Sequence, residues 1–276
     1  MSTASNNRRY GIAGAAVLAV AAGAYGIGRI YPPLGPIAGT ISSAQRFVDS
    51  QAGGQIPMRG RSVLVDAASA RLFMIEDGRV RDSMLVIVGK PTTATPPLRS
   101  VLNYATLNPY WNVPVDLAQK LIAPRVLKDG TAYLTDRGYE VVSGFGVTAR
   151  VLSPESVDWQ AVAAGGAQVH VRQRPGPANS MGQIKFGLAQ GNGIYLHDTP
   201  NKDLFTKAER NLSNGCIRLE DASRFARWLL GNDPTLASAA PEQHVALPGA
   251  VPITITYLDS RAELPNRYCT PESCTA

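Results

Sequence analysis

Two short β-prone runs deliver a histidine and a cysteine to their ends. Ile194-Tyr195-Leu196 runs into His197, and the polar turn Ser213-Asn214-Gly215-Cys216 runs into Ile217-Arg218-Leu219. The chemistry this pairing offers is thiolate nucleophilicity. A free cysteine is only a few per cent ionised at neutral pH, whereas a histidine partner can lower its pKa to roughly 3.5–7.5. Full ionisation would raise the reactive population by up to about 30-fold, on the order of 2 kcal/mol. Gly215 lets the backbone approach a substrate closely, so the N–H groups of Gly215 and Cys216 are candidates for stabilising an oxyanion. Ser213 and Asn214 supply polar side chains that could touch the substrate.

A lone cysteine is usually a small buried hydrophobe, and a lone histidine on a strand is usually structural. Their conjunction around one Gly-containing turn separates this pair from those readings. Zinc is disfavoured, because the chain has three His and three Cys with no C-x-x-C and no paired His at ligand spacing. No metal or cofactor is expected. Alternation along strands puts Arg218 on the same face as Cys216, and Tyr195 on the same face as His197. Arg218 would then bind a substrate carboxylate or hold the cysteine turn, while Tyr195 shapes the pocket.

The elements that must position these groups are mostly strands. Val63–Asp66, Arg71–Ile75 and Met84–Val88 read as short strands, with Glu76-Asp77-Gly78 as a turn, and Val251–Tyr257 as a closing strand. This is the pattern of a mainly β fold, a small sandwich or barrel. Glu220–Leu230 reads as an amphipathic helix ended by Gly231. The stretch from Asn103 to Val169 is mixed and too long for a structureless loop, so it reads as an α/β lid inserted between core strands. Within it Asp116–Ala123 reads as a helix stopped by Pro124. An Arg137-Gly138 turn leads toward Glu140–Val142, and Asp158–Val162 reads as a further short helix.

The ends of the chain carry different signals. Arg8 and Arg9 precede an uncharged run from Tyr10 to Gly28, the pattern of an export signal. About 18 helical residues would span roughly 27 Å against a hydrocarbon core of ~30 Å, so an uncleaved anchor with the arginines on the cytoplasmic side is favoured. Ala22-Gly23-Ala24 offers the alternative of cleavage. Residues 1–30 are therefore an anchor and 31–60 a Pro/Gly-rich linker with a reach of roughly 30 Å. Residues 61–260 form the main domain, with the lid at about 103–169, and 261–276 form a tail. Cys269 and Cys274 in that tail could form a disulfide in an exported chain, worth about 2 kcal/mol in the chain-entropy model. That would leave Cys216 as the odd thiol. The net charge of +6 over 276 residues comes with no recognition module for nucleic acid, so none is expected as a partner.

His197-Asp198-Thr199-Pro200 followed by Ser213-Asn214-Gly215-Cys216-Ile217-Arg218 resembles the active-site signature of the L,D-transpeptidases, whose catalytic domain is called YkuD. Gln173–Gly182 with Lys185-Phe186 is similar to that family's P-G-x-x-N-x-[LM]-G-x-x-K-F segment, and Val88–Pro96 to its V-G-[KR]-P-x-x-x-T-P loop. Asn108–Pro114 resembles the N-P-x-W-x-V-P motif of the branch with a long lid. The resemblance covers about Ser62 to Gly231. It implies a peptidoglycan enzyme in which Cys216 is the nucleophile and His197 the base. His197 would be oriented by the Asp198 carbonyl, with the Asp198 carboxylate a second candidate. Partners would be the stem peptides, a donor tetrapeptide and an acceptor diamino acid, joined in a 3-3 cross-link outside the cytoplasm. A carbapenem adduct at Cys216 is a further implication. Trp111 and Tyr110 would line the lid entrance, or Trp111 would simply pack the insertion. One departure is Asn214, where most members carry His. A carboxypeptidase, a lipoprotein-anchoring enzyme and a non-catalytic wall-binding protein are the alternatives. A papain-like protease is excluded by the absence of an aromatic residue directly after the cysteine.

Overall fold

The computed structural model describes residues 44–46, 48–49, 57, 59–191, 193–231 and 240–258. The expected anchor, most of the linker, and the tail with Cys269 and Cys274 lie outside them. Among the described residues no helix is long and apolar enough to cross a membrane.

Thirteen strands are described: β1 (Arg61–Asp66), β2 (Arg71–Glu76), β3 (Arg79–Gly89), β4 (Leu98–Leu107), β5 (Trp111–Val113), β6 (Tyr139–Val142), β7 (Val151–Leu152), β8 (His170–Gln173), β9 (Ile184–Leu188), β10 (Tyr195–His197), β11 (Asn211–Ser213), β12 (Ile217–Leu219) and β13 (Gln243–Thr256). The main sheet runs β11-β3-β12-β10-β9-β4-β13-β1-β2, and an extra β2–β3 pairing closes it on itself. The fold is mainly β and barrel-like, with a few short helices. Alternation gives every strand an inner face. Val63, Leu72, Val86, Phe186, Leu196, Ile217, Leu219 and Ile253 point into one continuous core. The helix Ala222–Leu230 adds Phe225, Ala226 and Leu229 to it, and Phe225 meets Phe186 edge-on at 4.9 Å between ring centroids. The Asp221 carboxylate caps the helix by accepting the Arg224 N–H at 2.8 Å, and left-handed Gly231 ends it.

The insertion has edges that differ from the sequence reading. Residues 98–107 form a core strand, and the chain leaves the barrel only at Asn108, whose N–H donates to Gln183 O at 2.9 Å. Leu107 pairs with Ile184 on β9, so the inserted segment runs from 108 to 183. The strand β4 is hard to read in sequence because polar Arg99, Ser100 and Asn103 interrupt its apolar pattern and a bulge between Leu102 and Tyr104 breaks the alternation. For the same reason β13 begins at Gln243 rather than Val251. Inside the insertion an antiparallel sheet, β5-β8-β6-β7, packs its own core of Val113, Ile122, Val126, Val141, Trp159 and Val171. Pro124 does not stop the helix as expected. A wide π-turn over Ala118–Ile122 precedes it, and Pro124 sits in the first turn of Ala123–Asp129, where its missing N–H is not needed. Arg137-Gly138 joins the helix Ala132–Asp136 to β6 rather than closing a hairpin.

Two crossings tie the insertion to the barrel, and Asn179 holds them together. Its Nδ2 donates to the carbonyls of Pro109, Gln173 and Arg174 at 3.0, 3.3 and 2.9 Å, and its Oδ1 accepts the Met181 N–H at 2.7 Å. An alanine cannot satisfy any of these buried groups. Asn179→Ala is expected to destabilise the domain by about 2–3 kcal/mol, measured as a shift of the urea midpoint at unchanged slope. An effect below about 0.5 kcal/mol would remove Asn179 from this role.

Candidate active site

The site is built on the outer face of two parallel neighbours. Leu196 pairs with Ile217, and His197 with Arg218. One step back along both strands sets Tyr195 level with Cys216, so Tyr195, His197, Cys216 and Arg218 share the face opposite the core. On the other side of β10, antiparallel β9 sets Lys185 beside His197. The expected residues of β10 and β12 are therefore brought together.

His197 is 4% exposed. Its Nδ1 hydrogen bonds the backbone carbonyl of Asp198 at 2.5 Å, which fixes the proton on Nδ1 and leaves Nε2 as an acceptor. The structure chooses between the two orienting candidates. The Asp198 carboxylate is turned away, with Oδ1 on Lys202 Nζ at 2.7 Å and Oδ2 accepting the Gln183 N–H at 3.0 Å. Lys202 also donates to the carbonyls of Leu219 and Glu220 at 3.3 and 2.9 Å, binding the ends of β10 and β12 together. Gly182 is required here. At φ +62° its missing Cβ would stand 2.3 Å from the Asp198 Oδ2.

The cysteine turn has a different internal wiring from the one expected. Ser213 is 2% exposed, and its hydroxyl donates to Cys216 O at 2.6 Å while accepting the Gly215 N–H at 3.0 Å. Ser213 is therefore a strut of the turn rather than a substrate contact. The Gly215 N–H is consumed by the same strut, so it is not an oxyanion donor in this structure. The Cys216 N–H has no partner among the described residues and is the available donor. Gly215 keeps its conformational reason, with φ +119° and an Ile194 methyl 3.3 Å from where a Cβ would lie. Asn214 is exposed at the tip.

Behind the turn stands the Gly89–Pro96 loop, whose role the sequence motif did not disclose. Thr95 is fully buried. Its hydroxyl donates to Gly215 O at 2.8 Å and accepts the Gly89 N–H at 2.9 Å. Lys90 N–H and the Thr93 hydroxyl both donate to Ser213 O, at 3.0 and 3.3 Å. A Cβ on Gly89 would collide with Thr93 O at 2.2 Å, so only glycine lets the loop fold this tightly.

The electrostatics run against a lowered thiol pKa. Burial pushes the Cys216 thiol up, against smaller help from the Tyr195 N–H and the Arg218 charge. Burial also pulls His197 down to about 4, outweighing its bond to the Asp198 carbonyl. Both shifts favour the neutral forms, a thiol and a neutral imidazole. Cys216 is half-buried, with Sγ 3.7 Å from Gly193 O, to which it donates. Burial raises the Tyr195 hydroxyl as well. Arg218 is the anomaly. Its Nε is buried without a hydrogen-bond partner, its guanidinium is destabilised by burial, and Cys216 is the group whose charge favours it. Trp111, for which lid entrance and packing were both open, is partly buried against the insertion's own core, tilted against Tyr139 at 6.2 Å. Tyr110 lies under Arg172, whose guanidinium carbon is 4.3 Å from the ring centroid.

The model of the family YkuD, L,D-transpeptidase catalytic domain, matches residues 60–247. This chain belongs to that family. A curated relative from Haemophilus influenzae, provisionally named an L,D-transpeptidase, is 34% identical over 175 residues, covering 63% of this chain and 35% of its own length. The chain thus spans about a third of that relative. A solved L,D-transpeptidase from Mycobacterium smegmatis is 17% identical with a TM-score of 0.34, covering 71% of this chain and 59% of that one. Another, in complex with imipenem, is 13% identical with a TM-score of 0.33, covering 71% and 58%. At such TM-scores these likenesses add nothing to the family assignment.

Two outcomes are expected for this family site. Thr95→Val keeps the shape but leaves Gly215 O and Gly89 N–H unpaired, a loss of about 1–3 kcal/mol in the urea midpoint, whereas Thr95→Ser retains most of it. Equal stability of the two variants would show that the hydroxyl does not hold the turn. Because the Cys216 thiol is raised above its ordinary value of 9.0, its thiolate is scarce at neutral pH. The rate of alkylation by iodoacetamide should keep climbing beyond pH 9. A plateau between pH 5 and 7 would mean that an ion pair exists and that the neutral description is wrong.

Proposed function

We propose that the protein is a peptidoglycan L,D-transpeptidase that forms 3-3 cross-links through a Cys216 thioester. The observation that carries this is the unpaired Arg218 guanidinium, held on the same strand face as the thiol and next to a histidine locked in one tautomer. A buried cation without a counterion costs stability unless a ligand supplies the missing anion. A stem peptide supplies carboxylates, and Arg218 would bind one of them while Cys216 meets the adjacent carbonyl.

The donor half-reaction then runs as follows. His197 Nε2 takes the thiol proton as Sγ attacks the carbonyl between the L-centre of the third residue and the terminal D-Ala. A C–S bond forms, and the oxyanion is received by the Cys216 N–H. The C–N bond breaks, His197 returns its proton to the departing amine, and D-Ala leaves. In the second half the amine of another stem's diamino acid attacks the thioester. A C–N bond forms, the C–S bond breaks, and the amine proton passes through His197 back to the sulfur. The neutral resting pair suits this cycle, since the proton moves only when a carbonyl is present to receive the sulfur.

Water in place of the second amine gives a carboxypeptidase, the second reading. A solved relative binds imipenem, and by extension a carbapenem would acylate Cys216 here. The enzyme would work outside the cytoplasm, held to the inner membrane by residues 1–30, with peptidoglycan as its partner.

The test is intact-protein mass spectrometry of the full chain with purified disaccharide-tetrapeptide, alongside Cys216→Ala. The expected result is an acyl-enzyme lighter than the bound tetrapeptide adduct by one D-Ala, followed by cross-linked dimer, both absent in the variant. Tripeptide without dimer would move the assignment to carboxypeptidase. Dimer formed by Cys216→Ala would overturn the thioester.

A further inference from the structure

Beside the catalytic pair lies an ion pair that the half-reactions above do not use. Lys185, the Lys of the K-F motif, is the β9 neighbour of His197. Its Nζ lies 3.3 Å from Glu242 Oε1 and 5.7 Å from the centre of the Tyr195 ring. Tyr195 in turn stands level with Cys216. Glu242 is held in a costly conformation at φ +53°. Its N–H donates to Asn108 O at 3.0 Å, and its Oε1 also accepts the Tyr110 N–H at 3.0 Å, both at the root of the insertion.

This arrangement commits only part of each charge. Oε1 serves Lys185 and Tyr110, while Oε2 has no hydrogen bond among the described residues. The ammonium of Lys185 has three protons, of which one faces Oε1. A cation and an anion with spare capacity therefore stand together. They are partly exposed, at 14% and 29% of their side chains, on the β9 side of His197. Arg218 lies on the other side, on β12. The row thus reads Arg218, His197, Lys185, with a bare cation at one end and a paired cation at the other. Further along the same face Tyr104 and His244 meet edge-on at 5.4 Å, continuing the floor.

We propose that Lys185 and Glu242 form the acceptor subsite and recognise a zwitterion, the free amino-acid end of a diamino acid. Glu242 Oε2 receives its ammonium and Lys185 its carboxylate, an exchange that leaves net charge unchanged and needs no unpaired group in the empty site. The bare Arg218 serves the anionic donor on the opposite side. This assignment rests on the transpeptidase reading and names the residues that choose its second substrate. The ammonium gives up one proton to solvent before the neutral amine attacks the thioester.

The experiment compares two acceptors on the full chain pre-acylated with donor tetrapeptide. One is a stem tripeptide whose diamino acid has a free carboxylate beside the reacting amine, and the other is the same tripeptide amidated at that carboxylate. Wild type should use the free acid at least about tenfold more efficiently in kcat/KM, the effect of one charge-assisted contact. Lys185→Met should bring that ratio close to one, and Glu242→Gln should raise KM for both acceptors. Equal use of the two acceptors by wild type overturns the proposal without any variant, as does a preference that survives Lys185→Met. No acyl-enzyme at all in wild type would instead overturn the transpeptidase reading on which the subsite depends.

Discussion

The hydrogen bond from His197 Nδ1 to the Asp198 carbonyl is the constraint on which the site turns. It decides the tautomer, and the tautomer decides whether Nε2 can accept a proton. A backbone carbonyl serves this purpose well in a buried setting, because it orients the ring without placing a full negative charge beside it. A carboxylate in that position would stabilise the imidazolium and oppose the downward shift that burial imposes on His197. Here a nearby carboxylate, that of Asp198, is drawn off by Lys202 and the Gln183 N–H. The missing Cβ of Gly182 gives it room to point that way. The motif that precedes the catalytic strands thus acts on the histidine through the chain, with Asn179 fixing the loop and Gly182 admitting the carboxylate.

The nucleophile is held by a comparable chain of dependence. Cys216 follows a turn whose inner hydrogen bonds are closed by Ser213 and whose back is closed by Thr95, Thr93 and Lys90. Each of those bonds satisfies a backbone group of the turn. The consequence is that one donor of the turn, the Cys216 N–H, is left without a partner among the described residues. Rigidity has been gained by using up the second donor internally, which is consistent with a turn that must place one sulfur atom accurately on the edge of a barrel.

The sequence carried the chemistry further than it carried the wiring. His197, Cys216, Arg218 and Tyr195 are legible because strand alternation is a strict period of two, and knowing one residue's face gives the next. Short core strands and the capped helix after Cys216 are legible for similar reasons, since their apolar patterns and their Asp221 and Gly231 ends are local signals. What eluded the sequence depends on pairing between distant segments. Thr95 reaches Gly215 across 120 residues, and nothing in the Gly89–Pro96 loop states which carbonyl it will meet. The strand β4 was hidden because Arg99, Ser100 and Asn103 are polar and a bulge between Leu102 and Tyr104 breaks the alternation. Trp111 was ambiguous because an aromatic residue near a substrate channel and one in a small core have the same sequence neighbours. The β5–β8 pairing decides for the core.

Burial also explains why the shifts at Cys216 and His197 run opposite to those of an ion pair. The rule that histidine lowers a cysteine pKa holds when the ion pair is solvated or otherwise compensated. At this site both partners lose water, and the nearby cation, Arg218, is itself destabilised by burial and lacks an anion. A substrate carboxylate on Arg218 would neutralise that charge. Removing a positive neighbour makes the imidazolium less costly, since Arg218 is one of the charges holding His197 down. The same event weakens the help that Arg218 gives a Cys216 thiolate, so donor binding shifts the balance toward proton acceptance by His197 rather than toward free thiolate. The sulfur would then be deprotonated as it attacks and not before, which limits the standing thiolate that oxidants would meet.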